Sequence, residues 1–244
     1  MRTTTEPDAR SGWRVMPGVL LVRASHPRQA LVTAALLASA AAASGRPLRE
    51  VALVALTVLV GQVLLGWGDD LADQAADRRQ GRDKPLVGDR LDPGTVWFAL
   101  TCGVLLVVPL SISHGERAGL AYLASLLIAL VGDRFLHGRV LSFLPWMASF
   151  ALWPAFLAHG GWSGMGTPTP PNTSMVILFA VLGLYVPVLL ALPGLVGDHA
   201  EGERSLPLVL ALRLGTPRLL LVAGVLAGVT SVAILVAGRT VGLT

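Results

Sequence analysis

The chain has 244 residues, of which 53% are hydrophobic and 14% charged, and its mean hydropathy is +0.66. Apolar residues at this density, gathered in long blocks, describe a polytopic membrane protein and exclude a soluble core of ordinary composition. A net charge of +4 does not make it a nucleic-acid binder, because the basic residues fall between apolar blocks and form no basic domain of their own.

Residues 1–14 are polar and charged and lack the apolar centre of a cleavable signal. They read as a cytoplasmic tail, followed at 13–22 by a short apolar stretch of interfacial character. Spans are expected near 30–44, 51–67, 95–112, 118–131, 140–157, 175–193 and 219–237, about seven in all. The alanine-rich run from Ala34 to Ala43 permits close helix packing, within or between chains, and leaves the oligomeric state undecided. Cys102 lies in an apolar run, excludes an intramolecular disulfide by being single, and receives no role.

Charge orders this map. With the N-terminus inside, the inner segments carry fifteen of the 19 Lys and Arg residues, and the outer ones only Arg46, Arg49, Arg117 and Arg239. The expectation is a multi-pass protein of the cell membrane with its N-terminus cytoplasmic and its C-terminus outside. The loop at 158–174, rich in Gly, Pro and Thr, then falls outside.

The chemistry gathers at 68–86, after the second span. Asp69, Asp73 and Asp77 recur at i, i+4 and i+8, which stacks three carboxylates on one face of a helix. Such a row repels itself unless cations fill it, and hard oxygen donors suit Mg²⁺ bridging to phosphate. Asp70 stands beside them, and Arg78, Arg82 and Lys84 follow as candidate phosphate contacts. A second acidic segment ends the sixth span, where Asp198 and Glu201 share a face at i, i+3, followed by Arg204. Both segments emerge on the same side of the membrane, so together they can enclose a two-cation diphosphate site.

Between them, Arg134 and Arg139 are either phosphate ligands, since Arg binds phosphate oxygens in bidentate fashion, or topology-setting charges. His137 reads as an interface residue in preference to a catalytic one, and Trp146, Trp153 and Trp162 as interface or packing residues. The sequence holds no Cys/His metal cluster, nucleophile elbow or Walker loop.

These segments, in this order, resemble the UbiA superfamily of intramembrane prenyltransferases from about residue 22 to the end. The family's Asn-Asp-x-x-Asp-x-x-x-Asp motif, then Arg-Pro-Leu/Ile, is matched by Asp69-Asp70-Leu71-Ala72-Asp73-Gln74-Ala75-Ala76-Asp77, then Lys84-Pro85-Leu86. Its Asp-x-x-x-Asp-x-x-x-Gly motif, then Thr-Leu-Pro, is matched by Gly194 through Asp198 to Gly202, then Ser205-Leu206-Pro207. The stretch Leu136-His137-Gly138-Arg139-Val140-Leu141-Ser142-Phe143-Leu144-Pro145 is similar to a Leu-Lys-x-Thr-x-Leu-Ser-x-Leu-Pro segment of some members. Asp69 stands where the family usually has Asn, Gly194 where it has an aspartate, and His137 where it has Lys. Members typically have about nine spans.

The resemblance implies an all-α transmembrane bundle over 23–244, preceded by the tail and interfacial segment at 1–22. It implies a site in which Asp69, Asp70, Asp73, Asp77, Asp198 and Glu201 hold Mg²⁺, with Asp73, Asp77 and Asp198 catalytic. A prenyl diphosphate would be bound by Arg78, Arg82, Lys84, Arg134, Arg139 and Arg204, and its prenyl group passed to an aromatic or other lipophilic acceptor in the bilayer. The alternative, motivated by Gly194 and His137, is a non-catalytic relative that binds or transports a prenylated lipid. A third reading, the soluble chain-elongating isoprenyl diphosphate synthases, shares the first aspartate string. It lacks support from a second aspartate-rich motif or from non-membrane helices.

Overall fold

A computed structural model of the protein describes residues 16–87, 90–136, 138–160 and 170–240. The tail at 1–15, His137, Trp162 and most of the outer loop at 158–174 lie outside the described residues. The described part is helical. Its elements are α1 (Pro17–Ala24), α2 (Pro27–Ala43), α3 (Leu48–Gln80), α4 (Pro93–Ile112) and α5 (Glu116–Leu136). They continue with α6 (Phe143–Ala151), α7 (Trp153–His159), α8 (Thr173–Ala191), α9 (Leu195–Ala200), α10 (Leu206–Leu214) and α11 (Thr216–Thr240).

Six segments are long and apolar enough to cross a membrane: Leu48–Gln80, Pro93–Ile112, Glu116–Leu136, Val140–His159, Thr173–Ala200 and Thr216–Gly238. The expected span at 30–44 is α2, whose 17 residues make a rod of about 26 Å, a little short of the ~30 Å hydrocarbon thickness. It lies along α3 with Ala30, Ala34, Leu37 and Ala41 buried, a seam of small side chains that brings the two helices close.

Prolines divide two of the spans. Within 140–157, Pro154 has no N–H to give to the preceding turn, and the segment breaks at Leu152 into α6 and α7. After α8, Pro193 sits in a 3-10 turn at Leu192–Gly194 that redirects the chain into α9. In contrast, nothing breaks the second span. It runs on as one helix through all the motif aspartates to Gln80, 33 residues or about 50 Å, and ends where Gly81 takes a left-handed conformation (φ 63°). The motif is therefore a rigid extension of a membrane helix.

The core lies where α2, α3, α5, α6, α7 and α8 meet. Phe150 stacks on Trp153 with ring centroids 3.9 Å apart, Phe156 packs against Tyr122 at 4.9 Å, and the Tyr122 hydroxyl donates to the Val58 carbonyl at 3.3 Å. The outer faces of α4 and α11 stay apolar and exposed: Phe98 and Leu105 are each 72% accessible and Leu221 66%, as a lipid-facing surface requires.

A smaller cluster positions the site. Leu20 and Ala24 of α1 pack on Leu86, Leu91 and Val96, which pins the loop between α3 and α4 against the interfacial helix. Arg23 reinforces the clamp by pairing with Asp83 at 2.8 Å, and Arg90 pairs with the same carboxylate. These two guanidiniums hold the Asp83 carboxyl below the usual carboxylate range.

Candidate functional site

The end of α3 places its aspartates on two sides. Asp69 and Asp73, one turn apart, line a chamber of about 1060 Å³, while Asp70 and Asp77 are turned into the protein, each 1% exposed. The expected row of Asp69, Asp73 and Asp77 is thus split: Asp77 pairs with Asp70, seven residues back, and the chamber receives the other two. A 3.6-residue period carries i+8 about 80° past the starting azimuth and i+7 about 20° short of it, which accounts for the split.

Tethered cations hold the inner pair. Lys84 Nζ lies 2.9 Å from Asp70 Oδ1 and 2.9 Å from Asp77 Oδ2, and Arg82 Nη1 lies 3.3 Å from Asp77 Oδ1. Burial by itself would lower the Lys84 ammonium, but the two carboxylates overcome it and hold it above the usual lysine range. Arg82 also reaches the second acidic segment, with Nη2 3.5 Å from Asp198 Oδ1. The two motifs therefore meet, as expected, and an arginine side chain joins them.

Asp198, Arg82, Lys84 and Arg134 line the same chamber as Asp69 and Asp73. Glu201 does not line it; it accepts from Gln80 Nε2 at 2.9 Å and pairs with Arg79 at 3.4 Å, contacts that keep its carboxyl below the usual range. Those contacts tie α9 to the end of α3. Arg78 and Arg139 are exposed and, like Arg204, do not line the chamber; Arg204 contributes its backbone N–H to the Gly138 carbonyl at 2.7 Å, which docks the α5–α6 turn on the second motif.

Three residues at the site carry no such role in the sequence reading. His26 Nε2 lies 3.0 Å from Asp70 Oδ1, a hydrogen bond that raises the imidazole above its usual range. His26 takes a left-handed backbone (φ 52°, ψ 57°), an uncommon conformation costing about 1–2 kcal/mol for a residue with a Cβ. Gly66 makes room for this turn, since a Cβ there would stand 2.6 Å from the Ser25 carbonyl oxygen. The second is Glu203, which lines the chamber from the second motif. The third is Gln62, two turns deeper on α3 than Asp69, nine-tenths buried and lining the chamber. A glutamine inside an apolar span was the available signal for it. His26 gave none, being 44 residues from its partner.

Away from the charged end, the chamber is walled by Ala30, Leu65, Leu100, Leu130, Trp146 and Leu190, among others. The whole is an apolar cavity with acids and bases at one end. Its donor set fits a hard divalent cation: Asp69 and Asp73 offer carboxylate oxygens to the chamber, and ligand atoms of His26, Asp69 and Asp70 lie within 4.8 Å of one another.

No family model and no curated protein matches the sequence. Solved structures do match the fold. A UbiA homolog from Archaeoglobus fulgidus bound to GPP and Mg²⁺ superposes with a TM-score of 0.60 at 17% identity, over 87% of this chain and 75% of that one. A structure of a UbiA homolog from the same organism bound to Cd²⁺ gives 0.62 at 15% identity, over 92% and 90%. The chain is an all-helical membrane protein with a UbiA-like fold.

Proposed function

We propose that the chain transfers a prenyl group from a prenyl diphosphate to a lipophilic acceptor within the membrane, in a reaction that depends on Mg²⁺. The observation that carries this reading is the meeting of the two acidic segments, through Arg82 between Asp77 and Asp198, at the polar end of a chamber whose remaining wall is apolar. That the similar Archaeoglobus structure was solved with GPP and Mg²⁺ supports it.

Asp69 and Asp73 would hold the metal, which when bound would neutralise the departing diphosphate as a Lewis acid, while Asp198 across the chamber pairs with Arg82. Arg82, Lys84 and Arg134 face the same volume and would bind phosphate oxygens from the protein side. Asp70 and Asp77 act through Lys84, fixing where its ammonium stands. The apolar wall would bind the prenyl chain and keep water from an allylic carbon that becomes electron-poor as its C–O bond stretches. Gln62 is the buried amide of that wall, and we assign it to an oxygen atom of the acceptor, since a hydrocarbon tail has nothing to offer it. By the charge asymmetry of the loops, this end of the bundle faces the cytoplasm.

The test is diphosphate release by the detergent-purified protein, given a panel of prenyl diphosphates with a lipid and quinone-precursor extract. Release that requires both Mg²⁺ and Asp73 is the expected result. Release unchanged in Asp73→Ala would sink the reading. A second reading, in which the chain binds or carries a prenylated lipid without chemistry, draws on Lys84, whose ammonium pairs with both Asp70 and Asp77. Prenyl-lipid binding indifferent to Mg²⁺, with no diphosphate released, is its signature.

A further inference from the structure

We propose that this site takes one divalent cation, on Asp69 and Asp73, and that the Arg82 guanidinium stands in the place of a second one, between Asp77 and Asp198. The proposal rests on the metal-dependent reading above and refines the two-cation expectation drawn from the sequence.

Asp77 is the centre of the argument. One of its oxygens is 3.3 Å from Arg82 Nη1 and the other 2.9 Å from Lys84 Nζ, so each oxygen already faces a tethered cation. Mg²⁺ needs oxygens at about 2.0–2.1 Å in near-octahedral array and sheds its waters reluctantly. Asp77 is 1% exposed and does not line the chamber, whereas Arg82 lines it and lies against Asp77, so with the arginine in place a hydrated ion has no open approach to that carboxylate. An arginine needs no approach, being five residues along the same chain.

The other half of the gap is filled in the same way. Arg82 Nη2 lies 3.5 Å from Asp198 Oδ1, so one planar fork spans both acidic segments, the position a bridging cation would take. Residue 194 faces this fork. A Cβ there would begin 3.3 Å from Arg82 Nη2 and 3.5 Å from Asp198 Oδ1, and glycine leaves that space to the guanidinium. Asp69 and Asp73 differ from Asp77 in the decisive respect, because both open onto the chamber.

Full-length protein in detergent is loaded with Mn²⁺ and inorganic diphosphate, and gel-filtered in diphosphate. Bound Mn²⁺ is then counted by atomic absorption, and its EPR line shape separates an isolated ion from a coupled pair. The expected result is one isolated ion per chain in the wild type and in Arg82→Lys, and two coupled ions in Arg82→Gln and Arg82→Ala. Two ions in the wild type overturn the single-ion assignment and leave the prenyl-transfer reading standing. One ion in an Arg82→Gln protein that elutes as the wild type does shows that Arg82 does not hold the second place, and overturns it equally. No bound ion in the wild type overturns both this proposal and the metal-dependent reading beneath it.

Discussion

Arg82 reaches Asp198 across 116 positions of sequence, with Nη2 3.5 Å from Oδ1, and that contact closes the polar end of the chamber. Everything chemical about the site depends on which carboxylates are already engaged by such tethered cations and which face the open volume.

Lys84 is the inner tether. Replacing it with Met leaves Asp70 and Asp77 with one cation fewer in a nearly dry setting, and losing one partner of a buried pair typically costs about 3–5 kcal/mol. Thermal unfolding in detergent should show a clear drop for Lys84→Met, partly recovered when Asp77→Asn is added. No drop would mean that the two ion pairs contribute nothing net.

Gln62 should matter to one substrate and not to the other. The change to test is Gln62→Leu, which removes an amide that lines the chamber. The same change should raise KM for the acceptor about tenfold or more and leave KM for the prenyl diphosphate within about twofold. Equal effects on both substrates would remove Gln62 from the acceptor side.

The turn between α1 and α2 has no room for a side chain at 66. Gly66→Ala would drive its Cβ into the Ser25 carbonyl, at a cost of about 1–3 kcal/mol, and push His26 away from Asp70. A lower unfolding temperature together with loss of the His26–Asp70 hydrogen bond, read from the imidazole chemical shifts, is the expected outcome. An unchanged imidazole spectrum would show that the turn accommodates the methyl group.

On the far side of the bundle, His114 lies buried between α4 and α5, with Nε2 2.9 Å from Thr57 Oγ1 and its ring edge-on to Phe156. Burial pushes it down to about 4 from an ordinary 6.5, with the nearby Arg46 acting in the same direction. The unfolded chain therefore takes up a proton before the folded one does. Stability is full above about pH 6.5 and falls as pH drops towards 4, by at most about 1.4 kcal/mol per unit. His114→Gln should flatten that slope in a pH series of thermal unfolding, and a slope that persists would assign it to other groups.

The membrane character, the approximate spans and the two acidic segments were legible in the sequence because each is local. Hydropathy over ~20 residues reports a span, and aspartates four apart report a helix face, whatever the rest of the chain does. The breaks at 154 and 193 were not legible in the same way, since Pro109 and Pro187 lie inside helices that continue through them. The helical period separates Asp70 and Asp77 from Asp69 and Asp73, but which pair meets a tethered cation and which meets the chamber was not local. That Asp70 and Asp77 turn inward to Lys84 while Asp69 and Asp73 face the chamber depends on where the loop after α3 is pinned, and α1 does the pinning through Leu20, Ala24 and Arg23. The partnership of His26 with Asp70 needed the close approach that Gly66 allows, and that of Arg82 with Asp198 needed α9 to fold back on the end of α3. The sequence by itself determined which groups the site could use. Only the tertiary structure decided which carboxylates a tethered cation satisfies, because ion pairing between distant segments is set by packing and leaves no period in the chain.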